Sequence, residues 1–284
     1  MLDRIEIEEA GPNPDKTAAE IHKQLGYISQ PVNLEDLASA LDITAVRYEA
    51  LNNIEGVLVT TPSRSVGAIL INANSRPSRQ RFTFAHELGH FLNPWHKEPT
   101  EGGFWCVGKD ISSAGVTISK SMNDFEKQEV EANRFASELL MPRRQIVREL
   151  TDEPDIEQII AYAALYQVSK EAMARRYIEL HFLKVAVIFS KAGRVRYFIK
   201  NQGIPFPSVK HGSPIDYSPG FGAGQNITSM VEVDISVWFD NPIQGQLFCQ
   251  HHRQQNGYAI TLLYLMQDDE DEEQLDTFDG MNSW

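Results

Sequence analysis

Cysteine is almost absent. The 284 residues hold only Cys106 and Cys249, too few for a disulfide framework, and this points to a reducing compartment. Basic residues are also scarce: 26 Lys and Arg stand against 39 Asp and Glu, for a formal net charge of −13. Part of that charge is local. Asp268, Asp269, Glu270, Asp271, Glu272 and Glu273 form an unbroken run, followed by Asp276 and Asp279, and without these eight the remainder carries about −5. Residues 267–284 read as a solvated, disordered tail. An acidic body argues against direct nucleic-acid binding through a basic face and suits a protein partner. No apolar run approaches membrane-spanning length, the best being Val185 to Phe189. The opening MLDRIEIEEAGPNPD shows no basic stretch followed by an apolar one, so no secretory signal is visible. The expectation is a cytoplasmic protein with no membrane association.

Internal repeats and long low-complexity linkers are missing too, and three textures divide the chain into an α+β arrangement. The first, residues 1–142, predicts helices near Thr17–Leu25 and Leu34–Leu41, the latter capped by Asn33. Strands follow at Ile43–Tyr48, Ile54–Thr60 and Val66–Asn72. Then come a helix from about Arg79 to Asn93, a glycine-containing insertion from Glu101 to Thr117, and a helix from about Phe125 to Met141. Residues 143–183 form a helical segment with Asp155 and Ser169 as N-caps. Residues 184–266 are β-rich, with strands at Val195–Lys200, Leu247–Gln250 and Tyr258–Met266. The strict alternation of Val231, Val233, Ile235, Val237 and Phe239 with polar or unlike residues predicts one further long strand.

The chemistry-bearing segment is FTFAHELGHFLN. Residues four apart on a helix share a face, so His86 and His90 can converge on one cation, while Glu87 reaches a water on that cation rather than the cation itself. Phe82, Phe84, Ala85, Leu88, Phe91 and Leu92 make the helix apolar on several sides. Two histidines and a glutamate among them need partners. A zinc hydrolase needs a third protein ligand and an open position, and the later helix offers candidates in QEVEANRFASELLMP. Against the stripe of Phe125, Ala132, Ala136, Leu139 and Leu140, Glu129 falls roughly 50° from the centre, Glu131 roughly 110° away on the other side, and Glu138 further still. Glu129 is therefore the expected ligand and Glu131 a solvated helix charge. Asn133, one turn on, is either an acceptor for the far ring nitrogen of a ligating histidine or a polar residue at the stripe's edge. The donor set suits Zn2+ and does not exclude Mn2+ or Fe2+.

Two long segments, RQRFTFAHELGHFL and EVEANRFASELLMP, with GAILIN and QVSKEAMARRYIEL, resemble the ImmA/IrrE family of metallo-endopeptidases over roughly Thr17 to Leu183. The resemblance implies a zincin-like domain of the gluzincin type, with Glu129 matching the family's ligand glutamate. It also implies cleavage of a helix-turn-helix repressor as the role, in settings such as mobile-element induction and stress responses. The competing expectation is a non-proteolytic regulator that binds a repressor or toxin while zinc is structural or vestigial.

Smaller expectations attach to single residues. His96 and Tyr162 are both available as oxyanion donors, with no ground for choosing. Val66–Asn72 could serve as an edge strand for an extended substrate. Cys106, in the insertion, is either an ordinary loop cysteine or a thiolate able to occupy the open metal position. Arg175 and Arg176 give the helical segment some positive charge, offset by Glu171 and Glu179. His251 and His252, adjacent in a strand, point to opposite faces and make a poor metal pair.

Overall fold

The computed structural model describes residues 2–27, 31–97, 103–107, 121–217 and 220–267. The acidic tail and most of the insertion lie outside the described residues. The chain is mixed α and β, and its contacts define two units: Met1–Glu149 with Ile159–Leu180, and Leu150–Gln158 with His181–Trp284. None of its described helices is long and apolar enough to cross a membrane.

The first unit opens with helices α1 (Arg4–Glu9), α2 (Pro14–Gln24) and α3 (Leu34–Ala40). Asp3, Asn13 and Asn33 cap them, each accepting from two backbone N–H groups of the first turn. A four-stranded sheet follows in the order β1 (Ile43–Glu49), β3 (Gly67–Asn72), β2 (Gly56–Thr60) and β4 (Phe104–Cys106). β1 and β3 are parallel; β2 runs antiparallel to both β3 and β4. The Val66–Asn72 segment is thus an interior strand, hydrogen-bonded on both sides, and offers no free edge to a substrate. The buried Asn72 side chain ties the β1–β2 connection, donating to Leu51 O at 3.0 Å and Ile54 O at 2.8 Å.

Two long helices pack beside this sheet. α4 (Pro77–Leu92) has proline in its first turn, where the missing N–H is harmless. α5 (Asp124–Leu140) begins with a capping box: Asn123 Oδ1 accepts from Glu126 N, and Glu126 Oε2 accepts from Asn123 N, both at 2.9 Å. Gly89 sets their closeness, because a Cβ there would stand 2.9 Å from Phe135 Cδ1. Three helices, α6 (Arg143–Glu149), α7 (Ile156–Leu165) and α8 (Lys170–Leu180), follow α5 in sequence. Asp155 and Ser169 accept from Glu157 N and Ala172 N at 2.8 and 3.0 Å.

Two residues here depart from expectation. Phe125 is exposed, outside the apolar stripe. Glu138, placed furthest from the centre of that stripe, is nonetheless buried, because Arg176, itself buried on α8, pairs with it and also donates to Met141 O at 3.0 Å. Arg176 is therefore part of a packed ion pair and not a surface charge facing nucleic acid.

The second unit contains an antiparallel sheet ordered β6 (Arg194–Lys200), β5 (Lys184–Lys191), β9 (Tyr258–Met266), β8 (Gln246–Arg253) and β7 (Val231–Val233). Ile188, Leu247, Leu263 and Leu265 pack with Trp238 and Phe239 in its core. The long strand expected over residues 231–239 stops at Val233. Asp234 Oδ1 accepts from Ser236 N at 2.8 Å and turns Ile235–Val237 into one 3-10 turn, after which the consecutive Trp238 and Phe239 are both buried. His251 and His252 are both buried within β8, hydrogen-bonded to Thr261 Oγ1 at 2.9 Å and Asn226 O at 3.2 Å.

Candidate metal centre

α4 is buried from Phe82 to Leu92, lying against β2, β3 and β4 on one side and α5 on another. On its inward face the one-turn spacing stacks His86 and His90, which are 0 % and 1 % exposed. Their Nε2 atoms stand 3.1 Å apart. From α5, Glu129 sends Oε2 to 3.3 Å from His86 Nε2 and Oε1 to 3.3 Å from His90 Nε2. A tetrahedral ion with bonds of about 2.0–2.1 Å holds its ligand atoms ~3.3 Å apart. The three separations observed are those of ligands arranged around one small cation.

Proton placement gives the same answer. His96 Nε2 lies 2.9 Å from Glu131 Oε2, an acceptor, so Nε2 carries the hydrogen. The neutral ring then presents an Nδ1 lone pair to His90 Nδ1 at 2.9 Å, and His90 must be the donor. This leaves His90 Nε2 without hydrogen. On the other ring, His86 Nδ1–H donates to Asn133 Oδ1 at 3.1 Å, which leaves His86 Nε2 bare as well. Two lone pairs thus face each other across 3.1 Å beside a carboxylate. Such an arrangement is repulsive until a cation enters, so the residues present fit a divalent metal.

The electrostatics agree for His90, while in the metal-free protein His86 favours a proton in the place a cation would take. Burial pushes His90 down to about 3, a neutral ring ready to ligate, although Glu129 opposes the shift. For His86 burial also disfavours the charge, but hydrogen bonding and attraction to Glu129 outweigh it and raise the value. Burial disfavours the Glu129 carboxylate too, yet the two imidazoles hold its pKa well below the usual range. Glu87 is wholly buried, and burial pushes it up to about 8. Neither Glu87 oxygen has a hydrogen-bond donor, and Glu129 Oε2 finds no aligned one. Gly56 of β2 makes the space for Glu87, since a Cβ there would fall 2.6 Å from Glu87 Oε1.

Of the residues singled out from sequence, His86, His90, Glu87, Glu129 and Asn133 come together here. Glu131 is not the free charge expected of it: only 27 % exposed, it anchors His96 and through it the ring of His90. Both oxyanion candidates are engaged elsewhere, His96 through its two nitrogens and Tyr162 by donating to Glu149 O at 2.9 Å. Sequence reasoning missed Arg64. Its guanidinium is buried and donates to the carbonyls of His90, Phe91 and His96, fixing the end of α4 and the turn after it. No local pattern flags Arg64, because its acceptors are 26–32 residues away.

An HExxH helix and a glutamate-bearing helix beside a mixed sheet define the zincin-like class of folds. The profile of the IrrE N-terminal-like domain, Peptidase_M78, matches residues 39–103 and 107–177. The match, over just under half of the chain, supports membership of the ImmA/IrrE family. No curated protein matches the chain. Among solved structures, a Mycobacterium tuberculosis transcriptional regulator is similar at 14 % identity and a TM-score of 0.49, covering 93 % of this chain and 82 % of its own.

Proposed function

We propose that the protein is a metal-dependent endopeptidase in which His86, His90 and Glu129 hold zinc and Glu87 is the general base. One observation carries this reading: a wholly buried glutamate with two donorless oxygens adjoins a ring of three converging ligand groups. A site that only stabilises the fold has no use for such a base. The chemistry that a divalent cation held by these three residues would supply is Lewis acidity, towards a water whose pKa would fall to about 7 and towards a scissile carbonyl. Glu87 accepts the water's proton on a carboxylate oxygen and passes it to the leaving nitrogen. With its affinity for protons raised to about 8, Glu87 is largely protonated near neutrality in the metal-free protein, and it becomes a base once positive charge arrives beside it. Asn133, and His96 with Glu131, hold the two rings in the tautomers that ligate.

Family membership supports a helix-turn-helix repressor as the substrate, cleaved to relieve repression. The acidic chain, with a net charge of −13 in all, suits a basic, DNA-binding partner. Incubation of the zinc-loaded protein with helix-turn-helix repressors, beginning with any encoded beside its gene, tests this. Cleavage by the wild type that is lost in Glu87→Gln supports the proposal. The burial of the whole centre favours one second reading, a regulator that sequesters its partner without cutting it. In that case the repressor stays intact and is bound equally by the wild type and Glu87→Gln.

A further inference from the structure

β4 supplies a feature that the catalytic reading does not use. Its three residues, Phe104, Trp105 and Cys106, are the ones passed over between the two matched segments of the family profile. They pair antiparallel with β2, setting Cys106 opposite Gly56 and Phe104 opposite Leu58, and Cys106 O accepts from Glu55 N at 2.8 Å. Strand alternation then sorts the side chains. Trp105 points out and is 48 % exposed, while Phe104 and Cys106 are each 2 % exposed. Both inward residues meet the metal centre. The Phe104 ring stacks on His90, with centroids 4.6 Å apart and planes at 22°. Cys106 Sγ and ligand atoms of His86 and Glu129 all lie within 4.8 Å of one another. Gly56, the residue paired with Cys106, is the one whose missing side chain leaves room for Glu87.

We infer that Cys106 is a fourth protein ligand of the metal, so that the resting centre is closed by its own β4 strand. The inference rests on the metal-site reading above. Three separate observations meet in it: the sulfur stands within 4.8 Å of ligand atoms of His86 and Glu129, the neighbouring Glu87 oxygens are buried without donors, and Phe104 stacks on the ring of His90. A zinc–sulfur bond of about 2.3 Å places sulfur ~3.6 Å from the other ligand atoms, so towards His86 and Glu129 the 4.8 Å limit leaves only a small side-chain adjustment. The thiol gives up its proton to solvent when it binds the cation. With two imidazoles, a carboxylate and a sulfur, the tetrahedral complement is full, as in structural sites. Hydrolysis then requires the sulfur to leave and vacate a position for water. Because β4 occupies the edge of β2, an extended peptide pairing with that same edge displaces β4 and withdraws Cys106 as it binds.

The test uses the full chain loaded with Co2+ in place of zinc. The expected result is a thiolate-to-cobalt charge-transfer absorption together with the metal's weak visible bands. The charge-transfer absorption disappears in Cys106→Ser and in Cys106→Ala, while the visible bands persist and Cys249→Ser leaves both unchanged. A parallel readout is thiol alkylation, in which zinc protects Cys106 and His86→Ala removes the protection. Visible bands without the charge-transfer absorption in the wild type overturn this inference and leave the three-ligand site standing. The same absorption retained in Cys106→Ser also overturns it. Absence of any cobalt spectrum overturns the metal-site reading and this inference together.

Discussion

Raising the pH of the metal-free protein should weaken it through one side chain. Glu87 is pushed up to about 8 from the ordinary 4.5, chiefly by burial, with the Glu129 charge adding to the shift and His86 opposing it. A raised value means that the folded state holds this proton more tightly than the unfolded chain does. The stabilisation is therefore complete below 4.5 and is lost as pH rises through about 8. At about 1.36 kcal/mol per unit, the loss reaches roughly 3 kcal/mol near pH ~7 and at most about 5 kcal/mol near pH ~9. Glu87→Gln keeps the shape and cannot ionise, so its stability should lack this slope. Urea unfolding of chelator-treated wild type and Glu87→Gln from pH ~5 to ~9 reads the difference directly, the other titrating groups cancelling between the two proteins. Wild-type and variant curves that stay parallel across this window would refute the claim that Glu87 is buried without a donor. Restoring the metal should flatten the wild-type slope, because bound ion both stabilises the folded state and favours the ionised carboxylate.

Gly89→Ala should cost about 1–3 kcal/mol by overpacking against Phe135. It should also lower zinc affinity in a chelator competition, because it pushes the Glu129 helix away from the histidines. Glu131→Gln and His96→Ala should each weaken zinc binding by roughly 10–100-fold with the circular dichroism spectrum unchanged, since they orient His90 without touching the ion. Unaltered affinity in both would remove the orienting role. Arg176→Ala leaves Glu138 buried without its main cation and should destabilise by about 3–5 kcal/mol in urea unfolding, whereas a surface arginine would give a change near zero.

The elements that carry the metal centre were legible because their signals are local. The apolar run through α4 and the apolar stripe of α5 place both helices within a few residues of their observed bounds. The one-turn spacing of His86 and His90 and the angular position of Glu129 then specify which side chains face inward. What failed was information held in strand order and distant pairing. The segment Gly67–Asn72 reads as a strand, but nothing in it says that β1 and β2 flank it. β4 is only three residues long and lacks any periodicity to detect. The roles of Glu131 and Glu138 depend on partners 35 and 38 residues away, His96 and Arg176, which a helical wheel cannot supply. The alternation over residues 231–239 was overruled by a single aspartate side chain that turns the backbone.

Three side chains from α4 and α5 are proposed to share one divalent ion beside Glu87. Anomalous diffraction at the zinc edge from crystals of the zinc-loaded full chain locates that ion without assumption. The expected result is a single strong peak per chain in the first unit, bonded to His86 Nε2, His90 Nε2 and a Glu129 oxygen at about 2.0–2.2 Å. No peak there, or one held by other residues with Glu129 turned away, would contradict it.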